Sequence, residues 1–311
     1  MAHRRILVTD DIENVSILGR KCSEALRRAA LALAWKLKAG IDILYVEDVN
    51  AFPLERYGFD GHRLENWHLG NKRKLEDLCM NLPVPARGIL KSGSPADQIQ
   101  KVIRSTSRPE LVVLGTHGRK GIRRLLLGSV AEEVIRHSER PVMVIGPSAQ
   151  KNLPNFKEMK PFKILVATDL SKNSRAPERY ALSLAKRVSG EVVLFHSLWD
   201  KFRIIQQNAL AYGMYLINLD DLLEPIRKDA TERLEKMAVY FKDHGVTTTF
   251  RIESDSIPSE EVILKETEKN YSIVIMGTHG RNILLNGFLG STSRGIILNS
   301  KIPVIIVHSN R

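Results

Sequence analysis

The sequence predicts a tandem α/β protein: two copies of one domain, each built on a parallel sheet. Three observations carry this expectation. The first is an internal repeat, the signature to be sought before any other. Leu114-Gly-Thr-His-Gly-Arg119 recurs as Met276-Gly-Thr-His-Gly-Arg281, Leu127-Gly-Ser129 as Leu289-Gly-Ser291, and Pro141-Val142 as Pro303-Val304, all at an offset of 162. The second is the alternation, in each copy, of short apolar strands with longer helical patterns, which implies right-handed βαβ units. The third is size: 311 residues make two domains at about 100–200 residues each, with 43% hydrophobic and 26% charged residues as in an ordinary folded protein.

The first strand is expected at residues 6–9 and 164–167, where Thr9-Asp10 answers to Thr168-Asp169 at an offset of 159. The helix that follows carries Leu26, Ala29, Ala30, Leu33 and Leu37 on one face and is expected to end with Gly40 as its C′ residue. Its second copy carries Ala181, Leu184, Ala185 and Val188 and ends at Gly190. Apolar strands follow at 43–46 and 193–196. After a variable middle, 111–114 and 273–276 are continuous apolar runs of the kind buried on both faces. A last helix leads to strands at 142–145 and 304–307. Residues 149–161, polar and containing Pro154 and Pro161, read as a linker between domain 1 (1–148) and domain 2 (162–311). A long apolar last strand with an open edge invites aggregation, so the two last strands are expected to pair as a pseudo-two-fold unit.

The chemistry lies after the fourth strand. In a parallel α/β sheet, ligands bind beyond the C-terminal strand ends where the strand order switches. The pattern there is Gly115, Gly118, Gly128, Ser129, repeated in register as Gly277, Gly280, Gly290, Ser291. With Gly and Ser each near 7%, one chance match costs roughly 0.07 to the fourth power per start position. Glycine permits positive φ and close backbone approach. Gly128-Ser129 opens a helical pattern containing Val130, Val134 and Ile135, so a phosphate would meet free N–H groups, the positive helix end and the Ser129 hydroxyl. Arg119 and Arg281 lie between the glycines, placed for phosphate charge. Asp10 and Asp169 can accept hydrogen bonds from an adenine or a ribose. No Ser, Cys or carboxylate is spaced to partner His117 or His279, which favours a phosphate-neighbouring role over acid–base catalysis. No catalytic residue is assigned.

The exclusions narrow the field. There is no GxxxxGK[ST], no GxGxxG after the first strand, and no Ser-Gly-Gly loop of the ATP pyrophosphatase kind. The histidines show no metal-ligand spacing, so no metal ligand is assigned. Cys22 and Cys79 alone form no disulfide framework, and Met1-Ala-His-Arg-Arg runs straight into Ile6-Leu-Val rather than a secretory signal; the expected address is the cytoplasm. No stretch approaches the ~20 apolar residues that cross a bilayer. The net charge of +12 is shared, with 24 basic and 17 acidic residues through 148 and 23 and 18 after, which favours an anionic partner without naming it. Arg119, Lys120, Arg123 and Arg124 form a basic corner, but the interleaved aromatics of a single-strand nucleic-acid binder are absent.

Gly115-Thr-His-Gly-Arg119, followed by Leu125-Leu-Leu-Gly-Ser-Val-Ala-Glu-Glu-Val-Ile-Arg-His-Ser138 and Pro141-Val142, resembles the ATP-binding branch of the universal stress protein family, and both halves share the likeness. The resemblance implies two doubly wound domains, each a five-stranded parallel sheet in order 3-2-1-4-5 flanked by helices. It also implies ATP, with or without Mg²⁺, and dimer-like pairing through the last strands, within the chain or between copies. By matching position, Thr9, Asp10 and Val46, and Thr168, Asp169 and Ser197, would stand at the base and ribose. Gly115, His117, Gly118, Arg119, Gly128, Ser129 and Val130 would wrap the phosphates in domain 1. Gly277, His279, Gly280, Arg281, Gly290, Ser291 and Thr292 would do so in domain 2.

The copies also depart from each other. Asp10 to Val46 spans 36 residues and Asp169 to Ser197 only 28, which places an eight-residue insertion of the first copy within 11–22, able to close over the ligand. Val46 to Gly115 spans 69 and Ser197 to Gly277 spans 80, so the second copy has eleven extra within 198–256. There the stretch 202–215, with Phe202, Tyr212 and Tyr215, reads either as a partner-binding flap or as an insertion folded over its own domain. The function implied is that of an ATP-binding, nucleotide-responsive regulator with protein clients. A slow ATPase or nucleotidyl transferase on the same cradle, and an interaction scaffold with inert sites, are the competing classes.

Overall fold

The strands form where apolar runs permit burial from both sides. In the computed structural model, which describes residues 4–13, 16–48, 61–105, 108–116, 127–153, 161–211, 218–253, 256–278 and 289–309, the chain divides into units Met1–Lys157 and Glu158–Arg311. The first unit runs β1 (Arg5–Thr9), α1 (Ile17–Leu37), β2 (Gly40–Glu47), α2 (Gly61–Met80), β3 (Ala86–Ser92), α3 (Pro95–Arg104), β4 (Leu111–Gly115), α4 (Ser129–His137), β5 (Val142–Ile145) and α5 (Pro147–Lys151). The second runs β6 (Phe162–Ala167), a 3₁₀ turn (Lys172–Ser174), α6 (Arg175–Val188), β7 (Gly190–Ser197), α7 (Trp199–Ala211), α8 (Leu219–Asp243), β8 (Thr248–Glu253), α9 (Ser259–Thr267), β9 (Ile273–Gly277), α10 (Ser291–Asn299) and β10 (Val304–Val307).

Every strand pairing within each unit is parallel, in the order β3-β2-β1-β4-β5 and, in the second unit, β8-β7-β6-β9-β10. The expected doubly wound order is therefore present twice. Its core is the set of fully buried strand residues, among them Ile6, Leu7, Val8, Val112 and Val113, and their counterparts Ile164, Leu165, Val166, Val274 and Ile275.

Three local expectations are corrected. The helix ends are not made by glycine: Lys38 (φ 52) and Ser189 (φ 51) hold the left-handed cap positions, while Gly40 and Gly190 begin the next strands. Glycine is needed there for space. A Cβ on Gly190 would stand 2.5 Å from the Phe162 carbonyl oxygen, and one on Gly40 would stand 2.9 Å from that of Pro85. The extra residues near 11–22 are not a covering loop but helix: α1 has 21 residues and α6 has 14, the excess lying at the N-terminal end because the two C-caps align. Ser16 caps the extension, its hydroxyl accepting from Gly19 N–H at 3.0 Å. Third, the span 149–161 is not linker throughout. Residues 149–151 are the last of α5 and β6 starts at Phe162, with 154–160 outside the described residues.

The described part of the variable middle of the second unit consists of helices α7 and α8 followed by strand β8. Within 202–215, residues 202–211 belong to α7, which packs on α8, while Tyr212 and Tyr215 lie outside the described residues. Helix α8 lies against β7 and β8, with Leu223, Leu234, Ala238 and Phe241 buried. Among the described residues, no helix is long and apolar enough to cross a membrane.

Candidate functional site

The strand order reverses between β1 and β4 in the first unit and between β6 and β9 in the second, and the glycine–serine pattern sits at both reversals. Gly115 ends β4, and Gly128 N–H returns to the carbonyl of buried Thr116 at 2.8 Å. Gly128 is the N-cap of α4, with Ser129 and Val130 as its first helical residues. Glu132 N–H bonds the Gly128 carbonyl at 2.9 Å, so the N–H groups of Ser129, Val130 and Ala131 have no partner inside the helix. The second unit repeats each step: Gly277 ends β9, Gly290 N–H reaches Thr278 O at 2.9 Å, and Gly290 caps α10 ahead of Ser291 and Thr292. Ser293 Oγ also donates to Gly277 O at 3.0 Å, tying the helix start to the strand end.

Among the described glycines of the pattern, positive φ is not used. Gly128 (φ −63, ψ 147) and Gly290 (φ −58, ψ 149) are in extended conformations open to any residue, and Gly115 and Gly277 do not have positive φ either. Their value at these helix starts is the missing side chain, which leaves the N–H groups uncovered. His117, Gly118, Arg119, His279, Gly280 and Arg281, with Lys120, Arg123 and Arg124, lie outside the described residues.

At the other end the register corrects a pairing. Ile6 faces Leu111 and Ile164 faces Ile273, so the first strands align at an offset of 158, not 159. Thr9 then corresponds to Ala167, Asp10 to Thr168 and Asp11 to Asp169. Burial follows the same register: Asp10 and Thr168 are buried, Asp11 and Asp169 half-buried. The repeated Thr-Asp dipeptide is thus a coincidence of neighbouring residues, and the half-buried strand-end carboxylate of the first unit is Asp11. Val46 and Ser197 do correspond, since Thr9 faces Leu44 and Ala167 faces Phe195. Val46 is buried, whereas Ser197 accepts from Ser259 Oγ at 3.0 Å. Thr9 Oγ1 donates to Val113 O at 3.4 Å.

Asp10 is an internal ion-pair member. Its Oδ2 lies 2.6 Å from Arg27 Nη1, its side chain is fully buried, and its Oδ1 has no hydrogen-bond partner among the described residues. Asp169 Oδ1 instead accepts from Ser171 N–H at 3.0 Å and from Ser174 Oγ. The next residue, Leu170, is left-handed (φ 59) without being glycine, a strained state that must be held by its surroundings. Its N–H donates to Thr168 Oγ1 at 3.0 Å, and its carbonyl accepts from Arg233 of α8. Thr168 Oγ1 in turn donates to Glu178 Oε1 at 2.7 Å, and His196 Nδ1 donates to Thr168 O at 2.7 Å. Burial pushes the Glu178 carboxyl up to about 7, with the Thr168 hydroxyl opposing and the Asp169 charge adding to the rise. Sequence reasoning missed Arg27, Glu178 and Arg233, because only the helix phase brings them to the strand ends. Among the described residues no group of three or more His, Cys, Asp or Glu is arranged to hold a metal.

Fold and site together define a class: a doubly wound α/β domain, present twice, with a side-chain-free helix start at each strand-order reversal. The sequence profile of the universal stress protein family matches residues 3–146 and again 162–308. The chain belongs to this family, with two domains in tandem. A universal stress protein of Mycobacterium tuberculosis is 24% identical over 246 residues, 78% of this chain and 72% of that protein. One of Methanocaldococcus jannaschii is 29% identical over 147 residues, 46% of this chain and 82% of that protein. The crystal structure of a universal stress protein from Archaeoglobus fulgidus covers 98% of both chains at 21% identity and a TM-score of 0.69, a likeness of fold. Another universal stress protein structure from that organism, in complex with dAMP, covers 48% of this chain and 98% of its own at 21% identity and a TM-score of 0.34.

Proposed function

We propose that both domains bind ATP and that the chain is a nucleotide-responsive regulator whose occupancy is read by client proteins in the cytoplasm. The observation that carries this is the pair of helix starts at Gly128-Ser129 and Gly290-Ser291, each at a strand-order reversal and each without a side-chain cap on its backbone donors among the described residues. A triphosphate fits this donor set, since three N–H groups and a serine hydroxyl converge on the positive end of a helix dipole. On this reading Asp11 and Asp169 face the ribose and base, beside Val46 and Ser197.

The test is identification by mass spectrometry of small molecules released from the heat-denatured purified chain, followed by calorimetry on Gly128→Asp and Gly290→Asp. Both glycines have φ and ψ that aspartate adopts freely, and aspartate is a good N-cap, so the helices stay capped. The added carboxylate occupies the anion position. Each variant is expected to lose one equivalent of ATP with unchanged circular dichroism. Two equivalents retained in both variants would refute the cradle. Repeating the titration with EDTA reads the Mg²⁺ requirement, and phosphate release over the same hours separates regulator from slow ATPase.

A further inference from the structure

The second domain contains a cleft of about 460 Å³ lined by positions that carry a hydrogen-bonded side-chain cluster in the first domain. Strand register makes His196 the counterpart of Tyr45, since Leu44 and Phe195 hold the same position one residue earlier. Counting α2 and α8 back from their last residues, Met80 and Asp243, aligns buried Asn71 and Leu75 with buried Leu234 and Ala238. The same count pairs Trp67 with Ala230 and Gly70 with Arg233. Glu13 and Ser171 each stand three residues past the buried strand-end position, Asp10 or Thr168.

In the first domain these positions make a hydrogen-bonded cluster. Tyr45 OH donates to Glu13 Oε2 at 2.6 Å and Trp67 Nε1 donates to Glu13 Oε1 at 2.6 Å, so a half-buried carboxylate is held by two aromatic donors. In the second domain all three members are cut back, to Ser171, His196 and Ala230, and all three line the open cleft. The carboxylate and the indole have no counterpart in the second domain. Cationic groups stand there in their place: Arg233, where the first domain has Gly70, and Lys201 from α7. Asp229 also lines the cleft but lies 3.7 Å from Arg233 Nη1, which leaves the lining with a net positive charge.

We propose that this cleft binds a small organic carboxylate, whose acid group takes the place held in the first domain by the Glu13 carboxylate. The Ser171 hydroxyl, Lys201 and Arg233 receive the acid, and Pro225, Ile226 and Ala230 receive an apolar body. The volume lies within the roughly 300–1,000 Å³ of small-molecule sites, and the mixture of an apolar wall with a few polar groups is typical of them. Asp169, Ser197, Gly277, Gly290 and Ser291 do not line the cleft, so the proposal stands apart from the nucleotide reading.

The test uses the full chain and ligand-observed NMR with matched acid and alcohol pairs: benzoate against benzyl alcohol, and phenylacetate against phenethyl alcohol, with inorganic phosphate as a further anion. The acids are expected to bind about tenfold or more tightly than the alcohols, the factor that a charge-assisted hydrogen bond carries. They are also expected to outbind phosphate. Ala230→Trp, which restores the first domain's plug, and Ser171→Glu, which restores its carboxylate, should each abolish the acid signal. Ser171→Glu changes a half-buried loop residue and keeps the test open if Ala230→Trp misfolds. Acids that bind no better than alcohols or phosphate, or that bind both variants unchanged, would overturn the proposal.

Discussion

Two positions, one at the end of the first strand and one on the helix that follows, carry Asp10 and Arg27 in the first domain and Thr168 and Glu178 in the second. The equivalence is geometric: Arg27 lies eleven residues before the left-handed cap Lys38, and Glu178 eleven before Ser189. In both domains the two side chains touch, at 2.6 Å in the first and 2.7 Å in the second. The first domain buries a carboxylate against a guanidinium. The second buries a carboxyl against a hydroxyl, with no full countercharge in hydrogen-bond contact. One backbone thus tolerates either chemistry at this depth, and in the second domain burial pushes the Glu178 carboxyl up to about 7. Since both pairs brace the loop that carries Asp11 or Asp169, the difference reaches the candidate nucleotide sites.

The sharpest way to break the comparison is to remove the countercharge in the first domain. Arg27→Met keeps most of the volume and leaves Asp10 buried with neither oxygen paired. Breaking a buried pair from one side costs about 3–5 kcal/mol, and urea unfolding should show the first domain destabilised by that amount. A loss under about 1 kcal/mol would mean that the pair is exposed to water in solution.

The second domain supplies a pH signature. Below the ordinary carboxyl value of 4.5, Glu178 is protonated whether the chain is folded or not, and contributes nothing. Between 4.5 and about 7 the unfolded chain is ionised while the folded one keeps its proton, so stability falls as pH rises through this window and then levels off. The full drop is on the order of 3 kcal/mol. Glu178→Gln resembles the protonated form and does not titrate. It should match the native chain near pH 5 and exceed it in urea resistance near pH 8, with the gain confined to the second domain by hydrogen exchange. Equal stability at both pH values would show that the carboxyl is solvated.

What was legible in the sequence follows from what burial does to composition. Strands β4, β5, β9 and β10 are covered on both faces, so their apolar runs announce them, and the glycine–serine pairs mark helix starts because few other residues leave backbone donors bare. Strands β3 and β8 lie at sheet edges and are half-exposed, with polar residues such as Arg87, Lys91 and Arg251, and no run distinguishes them. The Thr-Asp dipeptide misled the alignment of the first strands because a two-residue match outweighs register until the partner strand is known. The seven-residue extension of α1 looked like a loop for want of periodicity: Gly19, Arg20, Lys21 and Ser23 offer no apolar stripe, and Ile17 is exposed. Glu178 and Arg27 read as ordinary charged helix residues until the fold buries their partners.

On the proposed nucleotide reading, the two domains differ by one aliphatic contact at the base end. Val46 is buried where Ser197 binds its hydroxyl to Ser259. An aliphatic surface against an adenine is worth about 1–2 kcal/mol, or roughly tenfold in affinity. The first domain also has Glu132 in the first turn of α4, but Arg136 neutralises it at 3.0 Å. With each site silenced in turn by Gly128→Asp or Gly290→Asp, calorimetry should find the first domain the tighter binder, and Ser197→Val should close the gap. A tighter second site in the native sequence would reverse the assignment of Val46 and Ser197 to the base.

The smallest effect concerns Gly70, the counterpart of Arg233. A Cβ built on Gly70 meets nothing within 4 Å, and the residue lies inside α2, where glycine carries a conformational-entropy cost relative to alanine. Gly70→Ala should therefore stabilise the first domain, by up to about 1 kcal/mol. The other helical glycine with a known environment, Gly295 of α10, sits under the Glu260 carboxylate, whose carbon would lie 2.0 Å from an added Cβ. Gly295→Ala gains the same entropy but forces Glu260 away, so its net effect should be smaller than that of Gly70→Ala or opposite in sign. Thermal unfolding of the two variants side by side decides the matter. A larger gain for Gly295→Ala would mean that Glu260 moves freely and that space does not separate the two sites.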